Sequence, residues 1–492
     1  MAMSVGFNTI VPGIRTVTNH AEFDSSRAVV GALLRRHKIL VMGIKLSAGT
    51  VPELTPRRVL SADQADDYFG VGSQLADMVR IAKKNNSQTE MWAIGIDALT
   101  GGTAGTKTAT ITGTATETST IHLYIAGRYV PVAIASGDAQ NTVATKINTA
   151  IQAHPDYVRM PFTTGVATNV VTFTAKWKGV DVADVRTNYN ASDENVAGVT
   201  VTVAAGVSGA GNPDVTEILD AIGDVTQYDT IVCPWTDATN LTALEQELLS
   251  RWGGMRQIDG VLFTAVAGSH GTATTLGSSR NSPFHVCMAT NLSPTPPWLW
   301  AAALGAVDAG QSDPAMPRQT LPLLGILPAA ETLQWGQADR NLLLYDGIAT
   351  HVVDAGGNVT IERLITTYQT NAQGVPDTAF LDVETVRTLS AIRFDGNSAV
   401  SLQYPRAKLC KDGAPLPPGQ RVVTPNGMKA FLAGRYDIWG SLGWVELASK
   451  QQFMDELLCD IDLTDVNRLV AQGGPDLMNQ FRGLSVQWQF IV

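Results

Sequence analysis

The feature that most constrains this chain is its last nine residues, Leu484 to Val492, reading LSVQWQFIV. Leu484, Val486, Trp488, Phe490 and Val492 share one face of an extended chain. Ser485, Gln487 and Gln489 take the other, with Ile491 the apolar exception. This alternation of β-branched and aromatic residues with polar ones is the pattern of a half-buried strand. No later segment follows to pair with it in a hairpin. Burying four or five such side chains yields about 1.5–3 kcal/mol each. Ordering nine residues costs about 1–2 kcal/mol apiece in backbone entropy. The two contributions nearly cancel, so the strand forms only against a preformed sheet edge. That edge belongs either to the chain's own sheet or to another subunit.

The opening residues make a second extended segment. In 1–25, Phe7, Ile10, Ile14 and Val17 are apolar, but Pro12-Gly13 interrupts any helical stripe. The segment is too apolar for a disordered tail. The expectation is therefore an N-terminal arm over 1–25 and a C-terminal strand arm over 483–492.

The 492 residues suffice for two to four domains. A formal charge of −10 argues against direct nucleic-acid binding. The charge is unevenly spread. Residues 1–60 hold eight Lys or Arg against three carboxylates, a net +5, which leaves −15 for the rest. A basic first segment and an acidic body suit attraction between subunits. Cys233, Cys287, Cys410 and Cys459 are widely spaced, without CxxC, and are expected as buried thiols in a reducing compartment. There is no signal peptide and no run of about 18 apolar residues. Folding in a cytoplasm without stable membrane insertion is expected.

Between the arms, KILVMGIKL (38–46) and EMWAIGID (90–97) are strands that bracket two helices. Ser61 with Gln64 forms a capping box for the first helix, and Ser73 starts the second. From Thr106 to Thr120 every even residue is Thr, a solvated β face. Strands at 121–126, 129–135, 170–175 and 198–204, with a helix over 139–153, place an inserted α+β domain at 98–211, which the resemblance given below implies to be an outer one. Helix and strand then alternate: helices at 215–222, 240–252 and 297–309, strands at 230–233, 260–266 and 283–288. The expected fold is α/β and α+β multidomain. A doubly wound α/β unit, 26–97 plus 212–333, carries the insertion. A C-terminal α+β domain spans 334–482, with a Gly356-Gly357 hairpin, helices near 381–394, 426–439 and 446–458, and a short helix over Asp462–Ala471.

Motifs for chemistry are weak. Gly101 to Thr108 resembles a phosphate loop, but Thr106 stands where glycine must precede the lysine. The seven histidines show no metal-ligand spacing. Gly268-Ser269-His270-Gly271 lacks a nucleophile elbow's glycine pattern and is expected as a surface loop. The expectation is no catalytic residues, no cofactor and no metal. An α/β enzyme whose site assembles only on folding, or a host-surface binding module using the insertion, stays open as an alternative.

The opening SVGFNTIVPGIRTVTNHAEFDSSRAV and KILVMGIKLSAGT resemble the tail sheath proteins of Mu-like contractile-tailed phages. So do CPWTDATNLTALEQEL (233–248), RWGGMRQIDG (251–260), LPLLGILPA (321–329), ERLITTYQTN (362–371) and QYPRAKL (403–409). These stretches span the chain in consistent order. The resemblance implies a virion protein assembled in the host cytoplasm as stacked six-subunit rings around a tail tube. Its implied partners are itself, the tube protein, and the baseplate and tail terminator proteins. It also implies contraction that drives the tube through the host envelope. Phe7, Ile10, Ile14 and Val17 would then belong to one donated arm, and Leu484, Val486, Trp488, Phe490 and Val492 to the other. The C-terminal domain would face the tube.

Overall fold

A computed structural model of the chain describes residues 31–180, 184–190, 193–415 and 420–491. Phe7, Ile10, Ile14, Val17 and Val492 lie outside them. The fold is mixed α/β and falls into two compact units. One comprises 35–393 with 477–491, the other 31–34 with 394–476.

In the larger unit, Ile39, Leu40, Val41, Met42 and Ile44 make a run with no polar side chain, and all are buried. Such runs suit strands covered on both faces of a parallel sheet. Strand Lys38–Ile44 pairs in parallel with Glu90–Ile96 on one side and Thr230–Val232 on the other. Val261–Ala267 and His285–Asn291 extend the sheet in parallel. Arg57–Arg58 closes the far edge antiparallel to Glu90–Ile96. Numbered by chain order, the parallel strands lie 2-1-3-4-5. Helix Pro297–Ala309 is buried from Trp298 onward and packs on this sheet. Gly305 permits the approach, because a Cβ there would come within 2.7 Å of Val232 Cγ2.

The helix caps follow local chemistry. Ser61 Oγ accepts from Gln64 N at 3.2 Å, and Gln64 Oε1 accepts from Leu60 N at 2.8 Å. Gly70, at φ +89°, ends that helix in a conformation that favours glycine. Ser73 Oγ caps Gln74–Asn85 by accepting from Ala76 N.

The threonine-rich stretch folds as one strand, Thr106–Gly113, inside a four-stranded antiparallel sheet with Val199–Ala205, Val170–Ala175 and Phe162–Ala167. Ala109 and Ile111 point to the core, and the even-numbered threonines share the opposite, half-exposed face. The alternation ends at Gly113, and Ser119–Ile125 belongs to a second sheet with Arg128–Ile134 and Val185–Thr187. Helix Gln140–Ala153 buries Val143, Ile147 and Ile151. Thr103 and Ala210 pair backbone to backbone, so the two ends of this segment lie side by side.

Residues 478–491 lie in no strand among the described residues. Several expectations are corrected. Asp462–Ala471 is no helix. Leu469–Gln472 pairs antiparallel with Leu458–Ile461, because Asp462 and Asp465 accept from following backbone N–H groups and turn the chain. The helix expected over 446–458 is α-helical only at Lys450–Glu456. His270 is not in a loop; it begins helix His270–Ser278, capped by Ser269 Oγ accepting from Thr272 N. Helix Gln337–Tyr345 was not expected at all. Cys233 and Cys287 are buried, but Cys410 and Cys459 are half-exposed. The hairpin Thr350–Val353 with Val359–Arg363 is present, its turn held by Asp354 Oδ1 accepting from Gly356 N and Asn358 N.

The smaller unit is built on helix Pro425–Ser441 and the second half of helix Val383–Gln403, which passes from one unit to the other. Its core is small: Met428, Tyr436, Trp439, Trp444, Val445 and Phe453, with Tyr436 stacked on Phe453 at 4.5 Å. The hairpin Leu458–Ile461/Leu469–Gln472 belongs to it. Neither outer edge of that hairpin is paired among the described residues.

Candidate assembly site

The C-terminal segment is fixed at its root and bare beyond it. Gln480 Nε2 donates to Ala315 O at 2.6 Å, and Gln319 Nε2 donates to Phe481 O at 3.2 Å. Arg482 Nη2 donates to Asp382 Oδ1 at 3.0 Å and Glu384 Oε2 at 3.2 Å. Past Arg482 the apolar side chains face solvent. Leu484 is 77% exposed, Trp488 87% and Phe490 85%. Val486 is also exposed. A soluble chain rarely leaves contiguous large apolar side chains uncovered without a partner for them.

The anchor belongs to a buried ionic network. Glu384 is fully buried, and burial lifts its carboxyl above the usual range while Arg482 and Arg318 oppose the shift. Its Oε1 accepts from Arg318 N at 2.8 Å. Arg318 Nε in turn donates to Asp308 Oδ1 and Arg387 Nε to Asp308 Oδ2, both at 3.0 Å. Burial pushes the Asp308 carboxyl up, but Arg387 and Arg318 outweigh it and hold it below the usual value. Arg387 Nη2 also donates to Thr230 Oγ1 at 2.7 Å, tying the network to the sheet.

In the smaller unit, Asp395 does the matching work for the other end of the chain. It is fully buried and accepts from Leu33 N at 2.7 Å, Trp439 Nε1 at 2.7 Å and Arg435 Nε at 3.0 Å. Nothing in the local pattern marks Asp395 or Glu384, since their partners lie 40 to 362 positions away along the chain. The alternation around Trp488 is visible in the sequence, and its apolar side chains are exposed.

At the carboxyl ends of Lys38–Ile44 and Thr230–Val232, where α/β sheets commonly bind ligands, protein fills the space. Trp235 is buried there, and Asn212 Nδ2 donates to Asp237 Oδ2 at 2.9 Å while its Oδ1 accepts from Val180 N. The stretch Gly101–Thr108 runs into a strand, not the helix a phosphate loop requires. Thr264 Oγ1, His285 and Glu245 stand in the order of an acyl-transfer triad, with both contacts 2.8 Å. Thr264 and His285 have zero exposure, however, so no substrate meets that hydroxyl and the trio ties helix Ala238–Trp252 to the sheet. No cluster of three metal-ligating side chains occurs among the described residues. No helix among them is long and apolar enough to cross a membrane.

Comparison with known proteins places these features. Residues 208–367 match the family described as phage tail sheath protein central domain. The tail sheath protein of the Mu-like prophage FluMu of Haemophilus influenzae is 36% identical over 494 residues, covering all of both chains. The solved sheath tail protein of Listeria innocua is 12% identical, with a TM-score of 0.50 over 91% of this chain and 93% of that one. That of Desulfitobacterium hafniense is 12% identical, with a TM-score of 0.49 over 94% and 100%. Identity at this level along the full length of the Haemophilus relative means that this chain belongs to the tail sheath proteins of Mu-like phages and prophages.

Proposed function

We propose that the chain is the structural subunit of a contractile tail sheath, stacking as six-membered rings around a tail tube and shortening to drive the tube through a host envelope. The observation that carries this is the segment 484–491. It has a strand's alternation, no strand partner among the described residues and a root clamped by Arg482. A β-segment that cannot find its edge at home suits addition to a neighbour's sheet. The hairpin Leu458–Ile461/Leu469–Gln472 has edges unpaired among the described residues and suits such an addition, since a two-stranded sheet alone is marginal. The opening residues Phe7, Ile10, Ile14 and Val17 are the corresponding donors at the other end. Strand order 2-1-3-4-5 supports the doubly wound description of the central sheet. In this reading the C-terminal domain faces the tube, the insertion lies outside, and contraction draws on repacking of domain surfaces while the arms keep subunits linked. The tube, baseplate and tail terminator proteins are its partners in the virion, with assembly in the host cytoplasm.

The test is deletion of Leu484–Val492. The expected product is a soluble, folded monomer that forms no striated tubes in negative stain under conditions where the intact chain does. Normal tubes from the truncated chain would refute strand donation by this segment.

A further inference from the structure

At the amino ends of strands Lys38–Ile44 and Glu90–Ile96, the structure holds a cleft of about 430 Å³. It lies at the opposite end of the sheet from the usual α/β ligand crevice. Four separate elements feed it. Arg36 comes from the chain entering the first strand, and Arg58 from the short edge strand. Lys83 comes from the last turn of helix Gln74–Asn85, and Glu90 from the start of its strand. None of the three cations has an ion-pair partner among the described residues. The lining also holds one carboxylate, Glu90, whose Oε1 accepts from Trp92 Nε1 at 2.7 Å; it pairs with none of the three cations, and the lining keeps an excess of positive charge. His37 also lines the cleft, but burial holds its imidazole down at about 4, so it is neutral near pH 7.

Three unpaired cations around one concavity, with a single carboxylate among them, repel each other. Lys83 registers this directly: burial first, and then Arg58, lower its ammonium below the usual lysine value. An anion seated among them would relieve both costs. The rest of the chain supplies such anions in excess. Residues 1–60 carry a net +5 and the remainder −15.

We infer that this cleft is a docking site for carboxylates of a second copy of the chain, an electrostatic contact between subunits additional to the strand-donating ends. The inference rests on self-assembly. Its partner is a protein carboxylate pair, favoured over a small anion because the cleft opens on a chain that polymerises and whose body is acidic.

The experiment uses the full-length chain with Arg36→Glu, Arg58→Glu and Lys83→Glu combined, against Arg57→Glu as a neighbouring control and deletion of 484–492 as the strand control. The expected triple variant melts as the unmutated monomer does, and its critical concentration for polymerisation rises about ten-fold or more near 0.15 M salt. Arg57→Glu stays close to the intact chain. Zero-length carbodiimide cross-linking of mixed isotope-labelled subunits is expected to join Lys83 to an Asp or Glu of another copy in polymers and not in monomers. Native polymerisation of the triple variant would overturn the inference. So would a Lys83 cross-link confined to Glu22 or Asp24 of its own copy, or cleft-dependent binding of inorganic phosphate with assembly unaffected. Failure of strand donation reads out separately, as normal assembly of the 484–492 deletion.

Discussion

Arg482 donates to Glu384 at 3.2 Å, so the last anchored residue of the chain is bound to a fully buried carboxylate at the start of helix Val383–Gln403. The same nitrogen reaches Asp382, which Arg363 also grips through Nε at 3.1 Å. The terminal segment thus leaves a rigid platform, and the exposed alternation begins two residues later.

Replacing Arg482 with Met should loosen this root without unfolding the unit. Charge-assisted hydrogen bonds of this kind are worth about 1.5–3 kcal/mol. Cleavage near Gly483 in limited proteolysis should accelerate about ten-fold or more, with the thermal transition of the main unit little changed. Unaltered cleavage would show that Gln480 and Gln319 alone set the anchor.

Asp308 should be far less tolerant. It bridges Arg318 and Arg387 with no side-chain exposure. Asp308→Ala leaves two buried guanidinium groups without their counter-charge and should cost about 3–5 kcal/mol. The urea midpoint should fall accordingly. A loss under about 1 kcal/mol would mean that backbone carbonyls around Arg318 carry the charge.

Acid should destabilise the larger unit through His351. Burial first, and then Arg340, depress its imidazole to about 4, against an unfolded value of 6.5. The unfolded state therefore binds more protons once the pH drops below 6.5. Stability is full above that value and falls as the pH is lowered to about 4, by about 3 kcal/mol for this group. His351→Gln should flatten that part of a denaturation-versus-pH curve. An equally steep curve in the variant would assign the effect to other groups, His37 among them.

The segment between Thr103 and Ala210 should be removable. Its ends are already paired, Thr103 N donating to Ala210 O at 2.8 Å, so a short linker can close the gap. Its attachment combines ion pairs, Arg159 Nε on Asp66 at 3.1 Å and Arg128 on Asp77 at 2.7 Å, with apolar contact at Trp177 and Trp298. Excision should leave a folded chain that still polymerises. Loss of folding would show that the attachment, including buried Trp177 against Trp298, is part of the core.

What the sequence revealed divides along a physical line. Features set by neighbours a few residues apart were legible: the Ser61 and Ser73 caps, the Gly356-Gly357 turn, the buried run at Ile39 and the period-2 pattern around Trp488. Features set by distant chain were not. Asp395 meets Leu33 across 362 positions, and Glu245, Thr264 and His285 converge only through sheet and helix packing. The misread stretch Asp462–Ala471 has helical spacing, but Asp462 and Asp465 bind their own following amides more favourably than a helix would. Trp488 shows the remaining gap: periodicity marks a strand-like segment, and among the described residues it lies in no strand.

Helix Val383–Gln403 contains both Glu384, which grips the departing chain at Arg482, and Asp395, which grips the arriving chain at Leu33. One helix therefore supplies the buried carboxylate for both tethers, so a proline placed between positions 384 and 395 should free two distant stretches of chain with a single substitution.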